Sequence, residues 1–187
     1  MLLRPLSPTD FRAYAEVRSA NLEWVLPWEP LRPAGVPDPS SDREAFAARC
    51  IARDRDRHSG QSVSLGMFVD GTFIGETNLN NVQRGAMQSC TVGYWVDRRH
   101  AGHHYVPEAV VIAFRHAFED LRLHRVEICI VPRNHRSRRV MEKLGIREEG
   151  VAERYVEIAG VWEDHVRYGI TVEEWLTRRD DFVAAWL

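Results

Sequence analysis

Three histidines crowd around a single glycine in the stretch RRHAGHHYVPEA, residues 98–109. His100, His103 and His104 carry imidazole rings, which are common zinc ligands, and Gly102 lies among them. The stretch also follows an apolar run and precedes a helical pattern, and the free N–H groups of a first helical turn bind anions such as phosphate. The residue types therefore allow three interpretations: a metal site, a phosphate-binding loop or a polar turn.

The spacing of the residues separates these interpretations. Zinc sites usually take three or four ligands with carboxylates behind them, whereas all the ligands here would come from one turn. The chain contains no G-x-x-x-x-G-K-[ST] motif, which excludes a P-loop, and the single glycine disfavours a Rossmann loop. We therefore expect no metal, and we predict that the N–H groups of Ala101 to Tyr105 bind an anion beside Arg98 and Arg99. A solvated polar turn without a function is the alternative.

The composition narrows the classes of partner and compartment. The chain has 187 residues and a net charge of −2, which is not the basic balance of a nucleic-acid-binding protein. Cys50, Cys90 and Cys129 are odd in number and scattered, which indicates reduced thiols in a cytosol. No apolar run approaches the roughly 18 residues that span a membrane, and the first residues do not resemble a signal peptide. We expect a cytoplasmic protein that binds neither nucleic acid nor a membrane.

The rest of the chain predicts one α/β domain over residues 1–187, whose elements position the histidine-rich loop. Alternating or continuously apolar runs predict strands at Leu2 to Leu6, Ser62 to Val69, Thr72 to Leu79, Ser89 to Val96, Arg125 to Val131, Val151 to Ile158 and Trp162 to Ile170. Apolar residues at helical spacing predict helices from Ser7 to about Asn21, Ser41 to about His58, Pro107 to Leu121, Asn134 to Leu144 and beyond Thr171.

Local signals mark the ends of several helices. Ser7-Pro8 is a helix start, with an N-cap serine and a proline at the first helical position. Ser41-Asp42-Arg43-Glu44 and Thr171-Val172-Glu173-Glu174 each resemble a capping box. Gly145 is placed to end the fourth helix at its C′ position. These signals set the helix boundaries independently of the apolar spacing.

Turn signals and connections indicate how the sheet is arranged. Asp70-Gly71 predicts a hairpin, and the prolines between Pro27 and Pro39 predict an irregular loop. Strands that follow one another through short turns favour an antiparallel half of a mixed sheet. The strand–helix–strand order between residues 89 and 131 favours a parallel or splayed pair.

Two segments of the chain resemble motifs of one enzyme family. Residues 93–109, GYWVDRRHAGHHYVPEA, resemble the acetyl-CoA loop of the GNAT superfamily of N-acetyltransferases, whose pattern [Q/R]-x-x-G-x-[G/A] begins here at Arg99. Residues 132–150, PRNHRSRRVMEKLGIREEG, resemble the family's N-x-x-S…K-L-G-F…E-G segment, with Ile146 in place of the usual phenylalanine. The two motifs occur in the order and spacing of the family. The resemblance implies the GNAT fold: a mixed, strongly twisted sheet of about seven strands, flanked by helices, with a splay between two central strands.

Two segments nearer the ends of the chain indicate a subfamily. Residues 21–30, NLEWVLPWEP, and 160–166, GVWEDHV, are similar to the subfamily that acetylates the N-terminal alanine or serine of ribosomal proteins. This implies an acetyl-CoA-dependent enzyme whose acceptor is the α-amine of a protein. The alternatives are a small-amine acetyltransferase, acting on an antibiotic, polyamine or amino acid, and a non-catalytic acyl-CoA-binding module. A monomer and a homodimer are both compatible with the sequence.

The resemblance also implies roles for individual residues. It places acetyl-CoA on a loop made of Arg99, Ala101, Gly102, His103, His104 and Tyr105. It implies that the Val96 N–H binds the thioester oxygen, that Asn134 binds the pantetheine arm and that Ser137 donates a proton to the departing thiolate. We expect Glu76 to act as general base through water.

His104 departs from the family pattern, which has glycine or alanine at this position. Because alanine is accepted there, we expect that a positive φ is not required and that the constraint is bulk. An outward-turned ring would satisfy that constraint.

Several other residues have more than one interpretation. Cys129 is either a nucleophile or, as we prefer, a small residue of a buried strand. Glu108 is a second candidate base, but the helix dipole at its position makes it a poorer one. Asn134 can equally be a helix N-cap. Asp164 either binds the ammonium of the acceptor or pins the last hairpin. Trp24, Trp28 and Trp162 either wall an acceptor groove or pack in a core or dimer contact.

Overall fold

The computed structural model describes residues 1–187 as a seven-stranded mixed sheet with helices on both faces. The strands are β1 (Leu2–Arg4), β2 (Val63–Val69), β3 (Thr72–Gln83), β4 (Ser89–Val96), β5 (Arg125–Ile130), β6 (Arg147–Ile158) and β7 (Val161–Thr171), in the spatial order β1-β2-β3-β4-β5-β7-β6. Only β4 and β5 pair in parallel, and the other neighbours are antiparallel. The predicted fold class is confirmed.

Six α-helices connect or flank the strands. They are α1 (Phe11–Ala20), α2 (Leu22–Val25), α3 (Arg43–His58), α4 (Tyr105–Arg115), α5 (His135–Leu144) and α6 (Val172–Trp186). Short 3₁₀ turns precede α1, follow α2 at Leu26–Trp28 and follow β4 at Arg98–His100. None of these helices combines the length and the apolar character of a membrane-spanning segment.

Every predicted strand and helix is present, with shifts at the ends. β3 continues four residues past Leu79, and β6 begins at Arg147, where alternation is obscured by consecutive charged residues. The helix predicted from Pro107 begins two residues earlier, at Tyr105, and its predicted last turn is a π-helical turn over His116–Asp120. Prolines are favoured in a first helical turn, so Pro107 marks that turn and not its first residue.

The predicted capping boxes have different outcomes. At Thr171 the prediction is confirmed, because the Thr171 N–H donates to the Glu174 carboxylate and the Glu174 N–H to the Thr171 hydroxyl. At Ser41 it is wrong: the N-cap is Asp42, whose carboxylate accepts from the N–H groups of Glu44 and Ala45. A carboxylate at the next position competes with the serine hydroxyl for the same free N–H groups.

Two layers of apolar packing hold the sheet between the helices. The larger core joins one face of the sheet to α4, α5 and α6, with Val110, Phe114 and Trp175 fully buried. The smaller core joins the other face to α1 and α3 through Tyr14 and Phe46. Burying such side chains contributes about 1.5–3 kcal/mol each. The sheet is thus a fixed platform, and its central opening is the place where a site can form.

That opening is the predicted splay, and the pairing shows where it begins. β4 and β5 pair only from Ser89–Arg125 to Thr91–Glu127, although β4 continues to Val96 and β5 to Ile130. Past Thr91 the two strands diverge, and the edge of β4 that faces β5 has no strand partner there. Gly75 allows β3 to stay close to β4 beside this opening, because a Cβ at Gly75 would lie 2.2 Å from the Trp95 carbonyl oxygen.

Candidate active site

A cleft of about 440 Å³ lies at the splayed end of β4. Four parts of the chain line it: the α2 region with Trp24 and Trp28, the end of β4, the histidine-rich loop, and the first turns of α5. Half of the lining residues are hydrophobic, and polar groups are grouped at the loop and on α5. A largely apolar cleft with a few convergent polar groups is the usual form of a small-molecule site.

The backbone of β4 directs an N–H group into this cleft. Asp97 N donates to Ile74 O at 2.7 Å, so residues 74 and 97 form a hydrogen-bonded pair of the β3–β4 ladder. In an antiparallel ladder the next pair, Gly75 and Val96, has its N–H and C=O groups directed away from the partner strand. The Val96 carbonyl accepts a bond from Trp24 Nε1 at 3.0 Å. The Val96 N–H therefore faces the splay, as the predicted oxyanion role requires.

The histidine-rich loop presents three further N–H groups. The N–H of Ala101 donates to the Arg98 carbonyl at 3.2 Å, so this predicted donor is already used inside the turn. The N–H groups of Gly102, His103 and His104 have no acceptor within the chain. They lie at the start of α4, where the helix dipole favours an anion. The donor loop stays a prediction, and Ala101 no longer belongs to it because its N–H is already bonded.

Asp97 and Asn21 hold this loop in place. Asp97, only 1 % exposed, accepts from Arg99 N at 3.1 Å, Arg99 Nε at 2.9 Å and Asn21 Nδ2 at 3.0 Å. Asn21 Oδ1 in turn accepts from Arg98 N at 2.8 Å. Burial alone would raise the pKa of the Asp97 carboxyl, but the bonds from Arg99 and Asn21 lower it to about 2. The ionised carboxylate thereby ties the end of β4 to the α1–α2 junction.

His104 takes a left-handed backbone conformation, although the residue types that the family accepts here do not require one. Its φ is +67°. Its ring packs against Trp186 at the end of α6, with 5.7 Å between ring centroids, while His104 still borders the cleft. Histidine is among the non-glycine residues enriched at positive φ, which explains how it replaces glycine here.

The side chains of two predicted loop residues, Arg99 and His103, do not line the cleft. The Arg99 guanidinium pairs with Asp97 and its side chain is 67 % exposed, so its visible role is to support the loop. The His103 side chain is exposed and does not border the cleft. Neither they nor any other histidine, cysteine or carboxylate side chains form a group of three that could hold a metal ion.

The first turn of α5 brings Ser137 and Asn134 to the cleft. Asn134 is the N-cap: its Oδ1 accepts from Ser137 N at 3.2 Å, and its Nδ2 has no acceptor within the chain. Ser137 Oγ lies 2.9 Å from the hydroxyl of Tyr94, which can also donate to the Ser137 carbonyl at 3.3 Å. Burial raises the pKa of Tyr94. A neutral phenol that donates to Ser137 Oγ leaves the serine proton free to point into the cleft.

Glu76 does not reach the cleft. It is 2 % exposed, and its carboxylate accepts from Arg49 at 2.7 Å, from Arg53 and from Trp95 Nε1 at 3.0 Å. Burial alone would raise the pKa of the Glu76 carboxyl, but the Arg53 and Arg49 guanidiniums lower it to about 2. A carboxylate so stabilised is a weak base. The geometry argues against the predicted general-base role and gives Glu76 a structural one.

Other residues singled out in the sequence also lie outside the cleft. Cys129 is on β5, and burial raises the pKa of its thiol, which disfavours a nucleophile. Asp164 Oδ1 accepts from Arg154 N at 2.8 Å and so pins the last hairpin. Trp162 is 60 % exposed at the β6–β7 turn, away from the cleft that Trp24 and Trp28 border. Glu108 binds the amino group of residue 1 at 2.9 Å.

Four candidate functional residues of this region were not identified from the sequence. Tyr94 carried no signal, because its partner Ser137 is 43 residues away in sequence. Asn21 looked like a helix end and Glu29 like part of a proline-rich loop. Asp97 had a detectable signal, since an aspartate directly after a strand and before a turn is a favoured N-cap.

The comparison with known proteins decides the family. The sequence profile of the Acetyltransferase (GNAT) domain matches residues 1–147. The chain belongs to the GNAT acetyltransferase family. It is 34 % identical over 167 residues to YjcK of Bacillus subtilis, named a probable N-acetyltransferase, covering 87 % of this chain and 89 % of that protein. It is 29 % identical over 181 residues to the [ribosomal protein uS5]-alanine N-acetyltransferase of Escherichia coli, covering 96 % and 91 %.

A solved structure agrees with the fold. The structure of Mycobacterium smegmatis RimJ in complex with CoA-disulfide superposes with a TM-score of 0.89 and 31 % identity, covering 98 % of this chain and 87 % of that chain. The protein is therefore an acetyl-CoA-dependent N-acetyltransferase of the GNAT fold, and its relatives include enzymes named for ribosomal proteins.

Proposed function

We propose that the protein transfers an acetyl group from acetyl-CoA to the N-terminal α-amine of a protein, such as a ribosomal protein. The observation that carries the proposal is the cleft, where the Val96 N–H, the free N–H groups of Gly102 and His104, and the Ser137 hydroxyl converge. The similarity to the uS5-alanine N-acetyltransferase over 96 % of the chain supports the choice of acceptor. Single-domain organisation and a cytoplasmic location belong to the same proposal.

The polar groups of the cleft match the chemical groups of acetyl-CoA. The pyrophosphate is an anion, and Gly102, His103 and His104 offer N–H donors at a helix start for which the chain has no acceptor. Asn134 Nδ2, also without an acceptor in the chain, is placed to bind an amide carbonyl of the pantetheine arm. The unpaired edge of β4 beyond Thr91 offers further backbone groups to that arm.

The chemistry requires two proton sites. Acetyl-CoA supplies an acetyl thioester, whose carbonyl carbon bonds to the acceptor nitrogen while the carbon–sulfur bond breaks. The Val96 N–H binds the carbonyl oxygen, where negative charge develops during the transfer. Ser137 Oγ holds a proton for the departing sulfur, and Tyr94 fixes the direction of that hydroxyl. The acceptor nitrogen loses one proton to water, the sulfur takes one from Ser137, and Ser137 regains one from water, so that the transfer is balanced.

The acceptor must attack the thioester as a neutral amine. The reference pKa of a peptide α-amine is about 7.7–8.0, so a useful neutral fraction exists at neutral pH, whereas the lysine value is about 10.4. An α-amine therefore needs no strong base in the site. This fits a cleft from which Glu76, the predicted base, is absent.

A panel of acceptors tests the proposal. A peptide with a free N-terminal alanine or serine is expected to release CoA from acetyl-CoA with a higher kcat/KM than spermidine, an aminoglycoside or free alanine. Acetylation of the small amines in preference to the peptides would establish the small-amine alternative instead. Binding of acetyl-CoA without transfer to any acceptor would establish the non-catalytic module.

His104 gives a prediction about the acetyl-CoA loop. Its ring packs against Trp186 and its N–H is free, so we expect His104→Gly to bind acetyl-CoA within about threefold of the parent affinity. The matched control is His104→Ala, which removes the ring but keeps a Cβ at positive φ. Calorimetry is the measurement. A tenfold tighter affinity in both variants, about 1.4 kcal/mol, would mean that the ring obstructs the loop.

A further inference from the structure

One carboxylate borders the cleft, and it belongs to Glu29. Both guanidinium nitrogens of Arg18 bind it, at 3.1 Å and 2.7 Å. The Arg18 side chain is only 9 % exposed, whereas that of Glu29 is 32 % exposed. The carboxylate is thus fixed from behind by a buried cation while part of its surface stays accessible from the cleft.

Two cations lie over the ring of Trp24, which borders the same cleft as this carboxylate. The Arg136 guanidinium lies 4.3 Å from the Trp24 ring centroid, and the Arg98 guanidinium lies 5.6 Å from it. Both arginines are exposed, and the contacts of their guanidiniums are with the Trp24 ring and not with a carboxylate. Because Trp24 borders the cleft and binds the Val96 carbonyl, these two charges stand beside the point where the acetyl group is transferred.

Trp28 also has an arginine over its ring, but the charge of that arginine is partly neutralised by an ion pair. The Arg133 guanidinium lies 4.7 Å from the Trp28 ring centroid and is paired with Glu163. Although the net charge of the chain is −2, the region around Trp24 and Trp28 is therefore locally positive, with one fixed carboxylate, Glu29, within it. Such a local field attracts anionic groups and repels additional cations.

We propose that the acceptor is a polypeptide whose N-terminal ammonium is followed closely by acidic side chains. Glu29 binds the ammonium, and Arg98 and Arg136 bind the carboxylates that follow. The inference rests on the proposed function and names the substrate class of the same site. It also predicts that polyamines, which carry several cations and no anion, are poor acceptors.

The contacts available to Glu29 support the first half of the proposal. An ionised carboxylate has about four acceptor positions, and Arg18 uses two of them. The remaining positions are open to the N–H groups of an ammonium. Because Arg18 holds both oxygens, Glu29 needs no reorganisation when the acceptor arrives.

The tryptophan-bound arginines support the second half. A guanidinium stacked on an aromatic ring keeps its N–H edge free, and that edge matches a carboxylate in a bidentate pair. Discrimination then comes from both attraction and repulsion, since a basic side chain at the same place meets like charge. Interactions of this exposed kind act mainly on association and weaken as salt is raised.

A series of peptides of equal length, all with N-terminal alanine, tests the proposal. Positions two to four carry acidic residues, their amides, or lysines. We expect kcat/KM to fall in that order, with about tenfold between the acidic and basic peptides at low salt and a smaller ratio at high salt. In Arg98→Gln and Arg136→Gln the acidic peptide should lose most of its advantage over the amide peptide. Glu29→Gln should raise the KM of every peptide while the KM of acetyl-CoA stays the same.

The control is Arg55→Gln, which removes the same charge from an exposed position on α3 outside the cleft and should leave the order unchanged. Equal kcat/KM values across the charge series overturn the inference and leave the proposed function standing. The inference is also overturned if Arg136→Gln changes the KM of acetyl-CoA while the order of kcat/KM among the acidic, amide and basic peptides stays the same. Acetylation of spermidine but of none of the peptides overturns both.

Discussion

Ser137→Ala is expected to lower kcat by about 100-fold or more, the contribution of a well-placed proton donor, while the KM of acetyl-CoA changes little. The serine hydroxyl borders the cleft and is oriented by the Tyr94 hydroxyl at 2.9 Å. Its proton is needed only when charge develops on the sulfur, so the interaction stabilises the transition state and not the bound substrate. Steady-state kinetics of CoA release with a peptide acceptor measure the effect.

Two companion variants separate chemistry from structure. Ser137→Thr keeps the hydroxyl and should retain most of the activity. Tyr94→Phe keeps the ring but frees the serine hydroxyl to rotate, and kcat should fall by less than in Ser137→Ala. Unchanged kcat in Ser137→Ala would mean that water or another group protonates the sulfur. A loss that Ser137→Thr fails to recover would point to packing instead.

Glu76→Gln is expected to lower the free energy of unfolding by about 3–5 kcal/mol, the usual result of removing one partner from a buried ion pair. The amide keeps the shape of the side chain but leaves the Arg49 and Arg53 guanidiniums without their counter-charge. The Arg49 side chain is 17 % exposed and that of Glu76 is 3 % exposed, so water replaces little of the lost interaction. Urea unfolding at neutral pH measures the change.

The same ion pairs predict how stability depends on pH. The pKa of Glu76 in the folded protein is about 2, below its ordinary value of 4.5. The stabilisation is therefore fully present above about pH 4.5 and is lost as the pH falls towards 2. The parent should lose stability across that interval more steeply than Glu76→Gln.

A surface ion pair provides the control for this prediction. Glu119→Gln breaks the pair between Glu119 and Arg179, whose side chains are 30 % and 39 % exposed, and should cost at most about 1 kcal/mol. A Glu76→Gln protein that is as stable as Glu119→Gln, and whose kcat–pH profile has lost its acidic limb, would restore Glu76 as the general base.

The strands and helices could be predicted from the sequence because their signals are local. Alternation located the strands, the Asp70-Gly71 signal located a hairpin, and the strand–helix–strand segment indicated the parallel pair that splays. Errors arose where neighbouring residues compete, as Ser41 and Asp42 do for one cap. Positive φ at His104 could not be inferred from residue types that the family tolerates.

The site was accessible only in part, because its remaining contacts join distant residues. Asn21 and Asp97 are 76 positions apart, and nothing local indicates that they form a buried pair. The role of Glu76 was misjudged because β3 is buried on both faces, so alternation does not tell which face a side chain takes. Trp95 beside it binds Glu76 on one face, whereas the adjacent Tyr94 reaches Ser137 on the other.

We propose that the cleft beside β4 transfers acetyl to a protein's N-terminal α-amine. The most direct test of this proposal is one peptide that carries both a free N-terminal alanine and an internal lysine, incubated with enzyme and acetyl-CoA. The product is then mapped by fragmentation mass spectrometry. The account predicts one acetyl group on the α-amine, with little product in Ser137→Ala. Acetyl on the lysine side chain, or CoA release without an acetylated peptide, would contradict it.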